Sequence, residues 1–315
     1  MNNEFEKYKI DKSIIETLSL LKYTTPTKIQ ELVVPAMLEG RDVVAQSQTG
    51  SGKTAAFAIP LCNQVVWEEN SPQALILEPT RELAVQVGEE VFNIGRSRRI
   101  KVPLAFGGMP FDTQAKILKQ KSHIVVGTPG RILDHLKKGT VSFDKVSYLV
   151  IDEADLMLDM GFLDDVEEIM SYLPEERKTM LFSATLDDNI KLLIKNYMKD
   201  PIEAIIDTPT KTVSNIYEGI YITNQENKFK IFLDILIKEN PKDCMIFCGT
   251  RDMVNVLFRM LKKERLKVGM IHGLVDQRER LGIVEDFRKG KIHFLIATDV
   301  AARGIDFENI THVFN

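Results

Sequence analysis

The chain has 315 residues, of which 44% are hydrophobic and 27% are charged, and its formal net charge is −4 at pH 7. This length predicts about two domains, with enough apolar residues for a sizeable core in each. The negative charge excludes a protein that coats nucleic acid with an overall basic surface, so any polyanion would have to be bound locally.

Targeting and redox features are sparse. No apolar run reaches the roughly 18 to 20 residues that span a bilayer, and the start MNNEFEKYKI lacks the layout of a secretory signal. We therefore expect a cytoplasmic protein without membrane attachment. Cys62, Cys244 and Cys248 are too few for a disulfide framework, and Cys244 and Cys248 are expected to pack in the core rather than to bind a metal. Two basic runs, RSRRIK at 96–101 and KKERLK at 262–267, are interpreted as solvated surface.

Short runs of Val, Ile and Leu predict strands in the first part of the chain: RDVVA at 41, QALILE at 73, HIVVG at 123, YLVID at 148 and TMLFS at 179. Stretches with helical spacing lie between them, including those that begin at 80 and 128. Alternation of continuous apolar strands with helices is typical of parallel sheets that are covered on both faces. The fold class is therefore predicted to be α/β.

A polar stretch without clear periodicity interrupts this pattern. We predict a first domain at 1–206, a linker at 207–218 and a second domain at 219–315. In the second domain, the strands EGIYIT, DCMIFC, KVGMIH and IHFLIAT alternate with helices from about 225, 251 and 276. The chain stops at THVFN inside a further predicted strand, so the second domain is expected to be incomplete.

The segment SQTGSGKT at 47–54 follows a predicted strand and precedes a predicted helix, which is the context of a phosphate-binding loop. Gly50 and Gly52 allow backbone N–H groups to face an anion, Lys53 can reach the β and γ phosphates, and Thr54 can ligate magnesium. The strict pattern has glycine where this chain has Ser47. A glycine-rich linker is the alternative, but it does not explain Gly-Lys-Thr at the start of a helix.

Three carboxylates follow the strand YLVI: Asp152, Glu153 and Asp155. A solvated helix start is one explanation, because carboxylates favour that end of the helix dipole. Beside a phosphate loop, Mg²⁺ held by triphosphate explains Asp152, and Glu153 can orient or deprotonate a water molecule for attack on the γ-phosphate. We therefore expect the magnesium nucleotide between Lys53 and this pair, at the tips of adjacent strands.

The motifs of the whole chain resemble those of the DEAD-box RNA helicases. They include PTKIQ at 26–30 with Phe5 upstream, SQTGSGKT, PTRELA at 79–84, GG at 107–108, TPGR at 128–131, DEAD at 152–155, SAT at 183–185, IFCGTR at 246–251, HGLVDQRER at 272–280 and ATDVAARGID at 297–306. The resemblance implies two RecA-like domains that use ATP and Mg²⁺ and bind RNA.

This resemblance also implies roles for individual residues. Gln30 would hydrogen-bond adenine while Tyr23 stacks on it, although packing of Tyr23 and Phe5 against a helix is the simpler reading without the family. Ser183 and Thr185 would hydrogen-bond Asp155, which would couple the metal site to RNA-driven closure. The remaining nucleotide contacts would come from the loop and the second domain: Ser47, Gln48, Thr49, Gly50, Ser51, Gly52, Lys53, Thr54, Gly304 and Asp306.

RNA contacts implied by the family are sequence-independent and involve the backbone. In the first domain they would be Arg81, Gly108, Thr128 and Arg131. In the second domain they would be Arg251, Gly273, Gln277, Arg280, Thr298 and Arg303.

The family's HRxGRxGR-type segment does not occur before Asn315. Its arginines contact the γ-phosphate and RNA, and an arginine of this kind is worth about 10³- to 10⁵-fold in rate. We therefore expect the 315-residue chain alone to hydrolyse ATP poorly and not to unwind RNA.

Within the family, PQALILEPTRELAVQV and QKSHIVVGTPGRILDHLKKGT resemble the bacterial DbpA group, which is linked to assembly of the large ribosomal subunit. An rRNA target and a monomeric state follow as expectations. Two alternatives stay open: an ATP-gated RNA clamp or scaffold without unwinding, and a P-loop enzyme for duplex DNA or a small phosphoryl acceptor.

Overall fold

The structure is a computed structural model that describes residues 3–47, 50–206, 216–224, 226–302, 307 and 310–315, with the backbone alone at 300 and 301. It divides into two compact units, Met1–Thr208 and Pro209–Asn315. Each unit contains a parallel sheet, so the predicted fold class of two α/β domains is confirmed. In the described part of the chain, every helix is too short or too polar to cross a membrane.

The first unit has a seven-stranded sheet. Its strands are Val43–Gln46 (β1), Ala74–Leu77 (β2), Leu104–Ala105 (β3), Ile124–Gly127 (β4), Tyr148–Ile151 (β5), Lys178–Ser183 (β6) and Ile202–Ile205 (β7). The strand order is β3-β4-β2-β5-β6-β1-β7, and every pair is parallel. The strand that precedes the phosphate loop is therefore separated by β6 from the strand that precedes Asp152. The expectation of adjacent strands is wrong, because local sequence patterns identify strands but do not fix their order in a crossover-connected sheet.

Helices cover both faces of this sheet. They are Lys12–Leu20 (α1), Lys28–Leu38 (α2), Lys53–Gln64 (α3), Arg81–Gly95 (α4), Phe111–Leu118 (α5), Pro129–Lys137 (α6), Ala154–Asp159 (α7), Leu163–Ser171 (α8) and Asp188–Tyr197 (α9). Helices α1 to α4 share one core with Ile76 and Val150, and α5 to α9 share the other with Leu77 and Ile151. Alternate residues of each strand therefore enter opposite cores, which explains why the strands are apolar throughout.

The second unit has a four-stranded parallel sheet in the order β11-β8-β10-β9. Its strands are Cys244–Phe247 (β8), Val268–Ile271 (β9), Phe294–Ala297 (β10) and His312–Phe314 (β11), and its helices are Lys228–Glu239 (α10), Arg251–Lys263 (α11), Gln277–Arg288 (α12) and Asp299–Ala302 (α13). Cys244 and Cys248 pack in one core, as expected.

The predicted strand EGIYIT, at 218–223, is wrong. The structure describes 216–224 without regular secondary structure, and Tyr217, Ile220 and Ile222 are each more than 90% exposed. An isolated β-prone run stays irregular when no neighbouring strand accepts its hydrogen bonds. The predicted linker at 207–218 lies outside the described residues from 207 to 215, and its boundaries stay a prediction.

His135 in α6 gives the first unit a predicted pH dependence. The ring is buried, stacks on Phe111 at 4.2 Å and shares a 2.7 Å hydrogen bond between its Nδ1 and the hydroxyl of Thr140. Burial, reinforced by Arg131, lowers its pKa to about 4. The unfolded chain binds a proton near pH 6.5, so the unfolding free energy falls as pH drops from there towards 4, by about 2 kcal/mol at pH 5.

We expect His135→Leu to remove that dependence. The variant loses the Thr140 hydrogen bond and is less stable at neutral pH, but the difference in its urea-unfolding free energy between about pH 7.5 and pH 5 should shrink by about 2 kcal/mol. An unchanged difference would show that His135 does not carry the effect.

Candidate functional site

The phosphate-loop segment joins β1 to α3. The N–H of Ser47 donates to the carbonyl of Ser183 at 3.2 Å, and its hydroxyl lies 3.0 Å from that of Ser51. Gly50 and Gly52 have φ of +75° and +90°, a region that side chains disfavour. Gln48 and Thr49 lie outside the described residues.

Gly52 meets a second constraint. A Cβ at this position would lie 2.6 Å from the side-chain amide nitrogen of Gln30. Gly52 is also the N-cap of α3 and supplies no side-chain cap, so first-turn N–H groups can serve an anion. Thr54, which follows Lys53 in that turn, is partly exposed.

Lys53 brings the loop and the acidic run together. Its Nζ lies 2.5 Å from Oε1 of Glu153 and 4.0 Å from Oδ1 of Asp152, and its side chain is only 6% exposed. Burial opposes the positive charge, but Asp152 and then Glu153 outweigh it and raise the pKa of Lys53. One buried ammonium therefore faces two carboxylates.

Asp152 and Glu153 occupy different environments although they are consecutive. Asp152 is 4% exposed, and burial together with Glu153, against the opposing effect of Lys53, raises its pKa to about 7. Its Oδ1 accepts the N–H of Glu153 at 2.9 Å. Glu153 has φ of +48° and is the N-cap of α7. A left-handed conformation costs a glutamate about 1 kcal/mol, and here it directs the side chain to Lys53.

Asp155 connects α7 to the turn after β6. Its Oδ2 accepts the N–H of Thr185 at 3.0 Å and the Thr185 hydroxyl at 3.2 Å, and its own N–H donates to the Ser183 hydroxyl at 3.3 Å. The Ser183 hydroxyl in turn donates to the carbonyl of Thr185 at 2.6 Å. The structure therefore brings these three predicted coupling residues together.

Of the predicted adenine-binding residues, Gln30 contacts the loop directly. Gln30 is 1% exposed; it accepts the N–H of Thr27 at 2.9 Å and donates to the carbonyl of Gly52 at 3.1 Å. Phe5 is fully buried, and the hydroxyl of Tyr23 donates to Glu90 at 3.0 Å. In this arrangement Gln30 caps α2 and holds the loop.

Predicted RNA-binding residues of the first unit lie at the carboxyl ends of β2, β3 and β4, which are neighbours in the sheet. Arg81 begins α4, Gly108 follows β3 with φ of +81°, and Thr128 is the N-cap of α6. Arg131 donates to the carbonyl of Met109 at 2.9 Å and to the side chain of Gln114 at 3.1 Å. The strand order thus places them beside one another.

The second unit repeats this placement with its own sheet. Arg251 begins α11 after β8, Gly273 follows β9, and Thr298 follows β10. Gln277 and Arg280 lie in the first turn of α12. Arg303, Gly304 and Asp306 lie outside the described residues.

Residues 27–193 match the DEAD/DEAH box helicase family, and residues 227–315 match the helicase conserved C-terminal domain. The chain belongs to the DEAD-box helicase family. It is 52% identical to the ATP-dependent RNA helicase DbpA of Bacillus subtilis over 99% of its own length and 65% of that protein. It is 39% identical to the DEAD-box ATP-dependent RNA helicase CshA of Geobacillus kaustophilus, over 99% of its length and 67% of that protein. This DEAD-box chain therefore spans about two thirds of those relatives.

Solved structures of DEAD-box proteins share its fold. Saccharomyces cerevisiae Dbp5 bound to RNA and ADP BeF3 has a TM-score of 0.86 and 31% identity, over 98% of this chain and 79% of that one. A DEAD box protein from Methanococcus jannaschii has a TM-score of 0.62 and 38% identity, over 98% and 84%. The resemblance inferred from the motifs is confirmed.

Glu78 is a site residue that the sequence reasoning missed in this DEAD-box chain. Leu77 pairs with Ile151, so Glu78 follows β2 beside Asp152 after β5. Glu78 is fully buried, and among the described residues neither of its carboxyl oxygens has a hydrogen-bond partner. Burial, then Asp152 and Glu153, raise its pKa well above the ordinary value. The sequence feature that could have identified Glu78 is an acidic residue directly after a wholly apolar strand.

We expect Glu78→Met to stabilise the chain. An unpartnered buried polar group costs about 1 to 3 kcal/mol, and an unbranched apolar side chain removes that cost. Burial of the ionisable carboxyl adds a second cost, which depends on pH. Because the pKa of Glu78 is raised on folding, this second cost is absent below the unfolded pKa and grows as pH rises. The gain in unfolding free energy should therefore be larger at about pH 8 than at pH 5. Exposed Glu175→Met is the control, and an equal gain at both pH values would contradict the raised pKa.

Proposed function

We propose that this chain is the core of an ATP-dependent RNA helicase, which couples ATP binding and hydrolysis to local separation of RNA strands. The observation that carries the proposal is the buried contact of Lys53 with Glu153 and Asp152. It lies at the same sheet edge as Arg81 and Thr128, because all of them follow the carboxyl ends of parallel strands. One edge of the first unit therefore serves both nucleotide and RNA.

The residues fit magnesium-bound ATP. The buried carboxyls of Glu78 and Asp152 and the partly buried carboxylate of Glu153 lie near the ammonium of Lys53. Burial and mutual repulsion raise the pKa of Glu78 and of Asp152, and a divalent cation would relieve that repulsion. Mg²⁺ is commonly held by one or two protein oxygens together with phosphates and water, and Asp152 and Thr54 would supply those oxygens here.

Each residue then has a chemical role. Magnesium, when bound, neutralises charge on the phosphates. Lys53 exchanges its contact with Glu153 for the β and γ phosphates, because a triphosphate carries more negative charge than one carboxylate. Released from Lys53, Glu153 accepts a proton from the attacking water. Ser183 and Thr185 hold Asp155, which links the turn after β6 to this chemistry.

Adenine selection and RNA contacts belong to the same proposal. Gln30 and Tyr23 select adenine, with Phe5 supporting them, and Gly304 and Asp306, which lie outside the described residues, are proposed as further nucleotide-binding residues. RNA phosphates and 2′-hydroxyls are bound by the predicted RNA-binding residues: Arg81, Gly108, Thr128, Arg131, Arg251, Gly273, Gln277, Arg280, Thr298 and Arg303. Such contacts bind RNA without reading its sequence.

The relatives support finer proposals. The motif resemblance to the DbpA group implies a role in large ribosomal subunit assembly with rRNA as partner, and we propose that role for a monomeric cytoplasmic protein. The domains are proposed at 1–206 and 219–315 with a linker between them. The 315-residue chain assayed alone is proposed to hydrolyse ATP poorly, because the HRxGRxGR-type segment is not among these residues.

Binding measurements test the function. We expect the chain to bind a labelled adenine nucleotide only with Mg²⁺, and to bind single-stranded RNA more tightly when a non-hydrolysable ATP analogue is present. Absence of nucleotide binding would overturn the proposal. Displacement of an RNA duplex by the full-length protein separates a helicase from a clamp, and robust RNA-stimulated turnover by the 315-residue chain would contradict the proposed weak hydrolysis.

A further inference from the structure

Trp67 lies at the edge of the first sheet opposite to the nucleotide loop. It follows α3 and precedes β2, and its neighbour His123 directly precedes β4. It is the single tryptophan in the chain. The side chain is 40% exposed and adjoins Val66, which is 55% exposed. A tryptophan that served packing alone would be buried further, so its exposure calls for another explanation.

Backbone hydrogen bonds hold Trp67 in place. The side chain of Gln73 accepts the N–H of Val66 and donates to its carbonyl, both at 2.8 Å. Nδ1 of His123 accepts the N–H of Lys101 at 2.9 Å, so Nε2 carries the proton and donates to the carbonyl of Trp67 at 3.1 Å. The indole is therefore presented on a rigid segment, which lowers the entropy cost of binding a ligand there.

The surroundings of the indole are positively charged. The Nζ of Lys121 lies 3.4 Å from the centre of the ring system. Lys121, Lys101 and Arg98 each lower the pKa of His123, after the larger effect of burial. Arg96 and Arg99 in the same basic run are exposed. The chain as a whole carries a net charge of −4, so this group of cations gives the surface near Trp67 a charge opposite to that of the whole chain.

Two acidic residues offset part of this positive charge. Glu68 and Glu69 follow Trp67 in the chain. The carboxylate of Glu69 is held by its own loop, where it accepts the N–H groups of Asn70 and Ser71 at 2.9 and 3.2 Å. Lys121, Lys101 and Arg98 outnumber these two acidic residues, so the charge near the exposed indole is positive on balance.

We propose that Trp67, Lys121 and the basic run at 96–101 form a second contact for single-stranded RNA, on the sheet edge opposite to the nucleotide loop. A nucleobase stacks on the indole in place of Lys121, whose ammonium then pairs with an adjacent phosphate. Exposed aromatic rings beside cations bind single strands in this way, without sequence preference. The inference rests on the proposed RNA binding and adds a second contact that only longer RNA reaches.

Tryptophan fluorescence tests the proposal directly, because Trp67 is the single tryptophan of the chain and therefore the source of all of its tryptophan emission. We expect a long single-stranded oligoribonucleotide to quench the emission on titration, with the same midpoint as the anisotropy change of the labelled RNA. Trp67→Ala should weaken RNA binding about 5- to 100-fold, and Trp67→Phe should restore most of it. Lys121→Ala should lower the salt slope of RNA binding by about one.

Controls separate this site from the proposed function. Tyr172→Ala and Lys195→Ala remove an exposed aromatic ring and an exposed cation of the same unit and should leave RNA affinity unchanged. If the labelled RNA binds but the emission and the affinity of Trp67→Ala do not change, the second contact is wrong while the proposed function stands. If polyglutamate quenches as strongly as RNA, the surface is a general anion site and the RNA proposal is also wrong. If no RNA binds to the unaltered chain, the proposed function itself fails.

Discussion

Lys53→Ala is expected to abolish nucleotide binding and to destabilise the first unit in the same experiment. Lys53 is the buried cation that faces Asp152 and Glu153, and it also affects Glu78. Its removal deprives the phosphates of their main cationic partner. It also leaves the carboxyl groups of Asp152 and Glu153 unpaired, and we expect this to lower the unfolding free energy by about 3 kcal/mol. ATP hydrolysis should fall about 100-fold or more.

The loss of stability should depend on pH. Without Lys53, the pKa of Asp152 rises above its present value of about 7. When folding raises the pKa of a carboxyl, the unfolding free energy of the protein falls as pH rises from the unfolded pKa through the folded pKa of that group. The deficit of Lys53→Ala against the unaltered chain, measured by urea unfolding, should therefore be larger at about pH 8 than at pH 6.

Lys53→Arg is the matched control. It keeps the positive charge, so stability should largely return, whereas the planar guanidinium does not reproduce the point contact with the β and γ phosphates. Nucleotide binding should stay weak. Tight nucleotide binding by Lys53→Ala would remove the basis for placing the triphosphate at this loop.

Glu153→Gln is expected to separate binding from chemistry. Glutamine keeps the size of the side chain and can still contact Lys53, but it cannot accept a proton from water at neutral pH. We expect single-turnover hydrolysis to fall about 10²- to 10⁴-fold. Nucleotide affinity should be equal or higher, because the carboxylate of Glu153 no longer competes with phosphate for Lys53.

Asp159→Asn is the control for charge, since Asp159 is an exposed acidic residue at the end of the same helix. It should hydrolyse ATP at the unaltered rate. A rate for Glu153→Gln within a few-fold of the unaltered chain would assign the proton transfer to another group.

Much of the first unit could be predicted from local sequence. The apolar runs at 73, 123, 148 and 179 lie within one residue of β2, β4, β5 and β6. Glycines at 50 and 52 indicated a backbone that only they adopt readily, and both have positive φ. These features depend on the chain within a few residues, where periodicity and backbone sterics act.

The segment EGIYIT at 218–223 shows where prediction from the local sequence pattern fails. Its alternation of Ile and Tyr is typical of a strand, yet a strand forms only where a neighbour accepts its hydrogen bonds. The described residues of the second sheet provide none for it. Pairing is a property of distant segments, which a local pattern does not contain.

The sequence by itself determined β2, β4, β5 and β6 to within one residue, the phosphate loop and the identity of the carboxylates that follow the strand at 148. Tertiary structure alone decided that β6 separates the loop from Asp152, that Glu78 is buried beside it, and that Lys53 and Glu153 meet across 100 positions of chain. It also brought Lys121 onto the ring of Trp67. The physical reason is range: sterics and periodicity act between near neighbours, whereas strand order and buried charge depend on how the whole core packs.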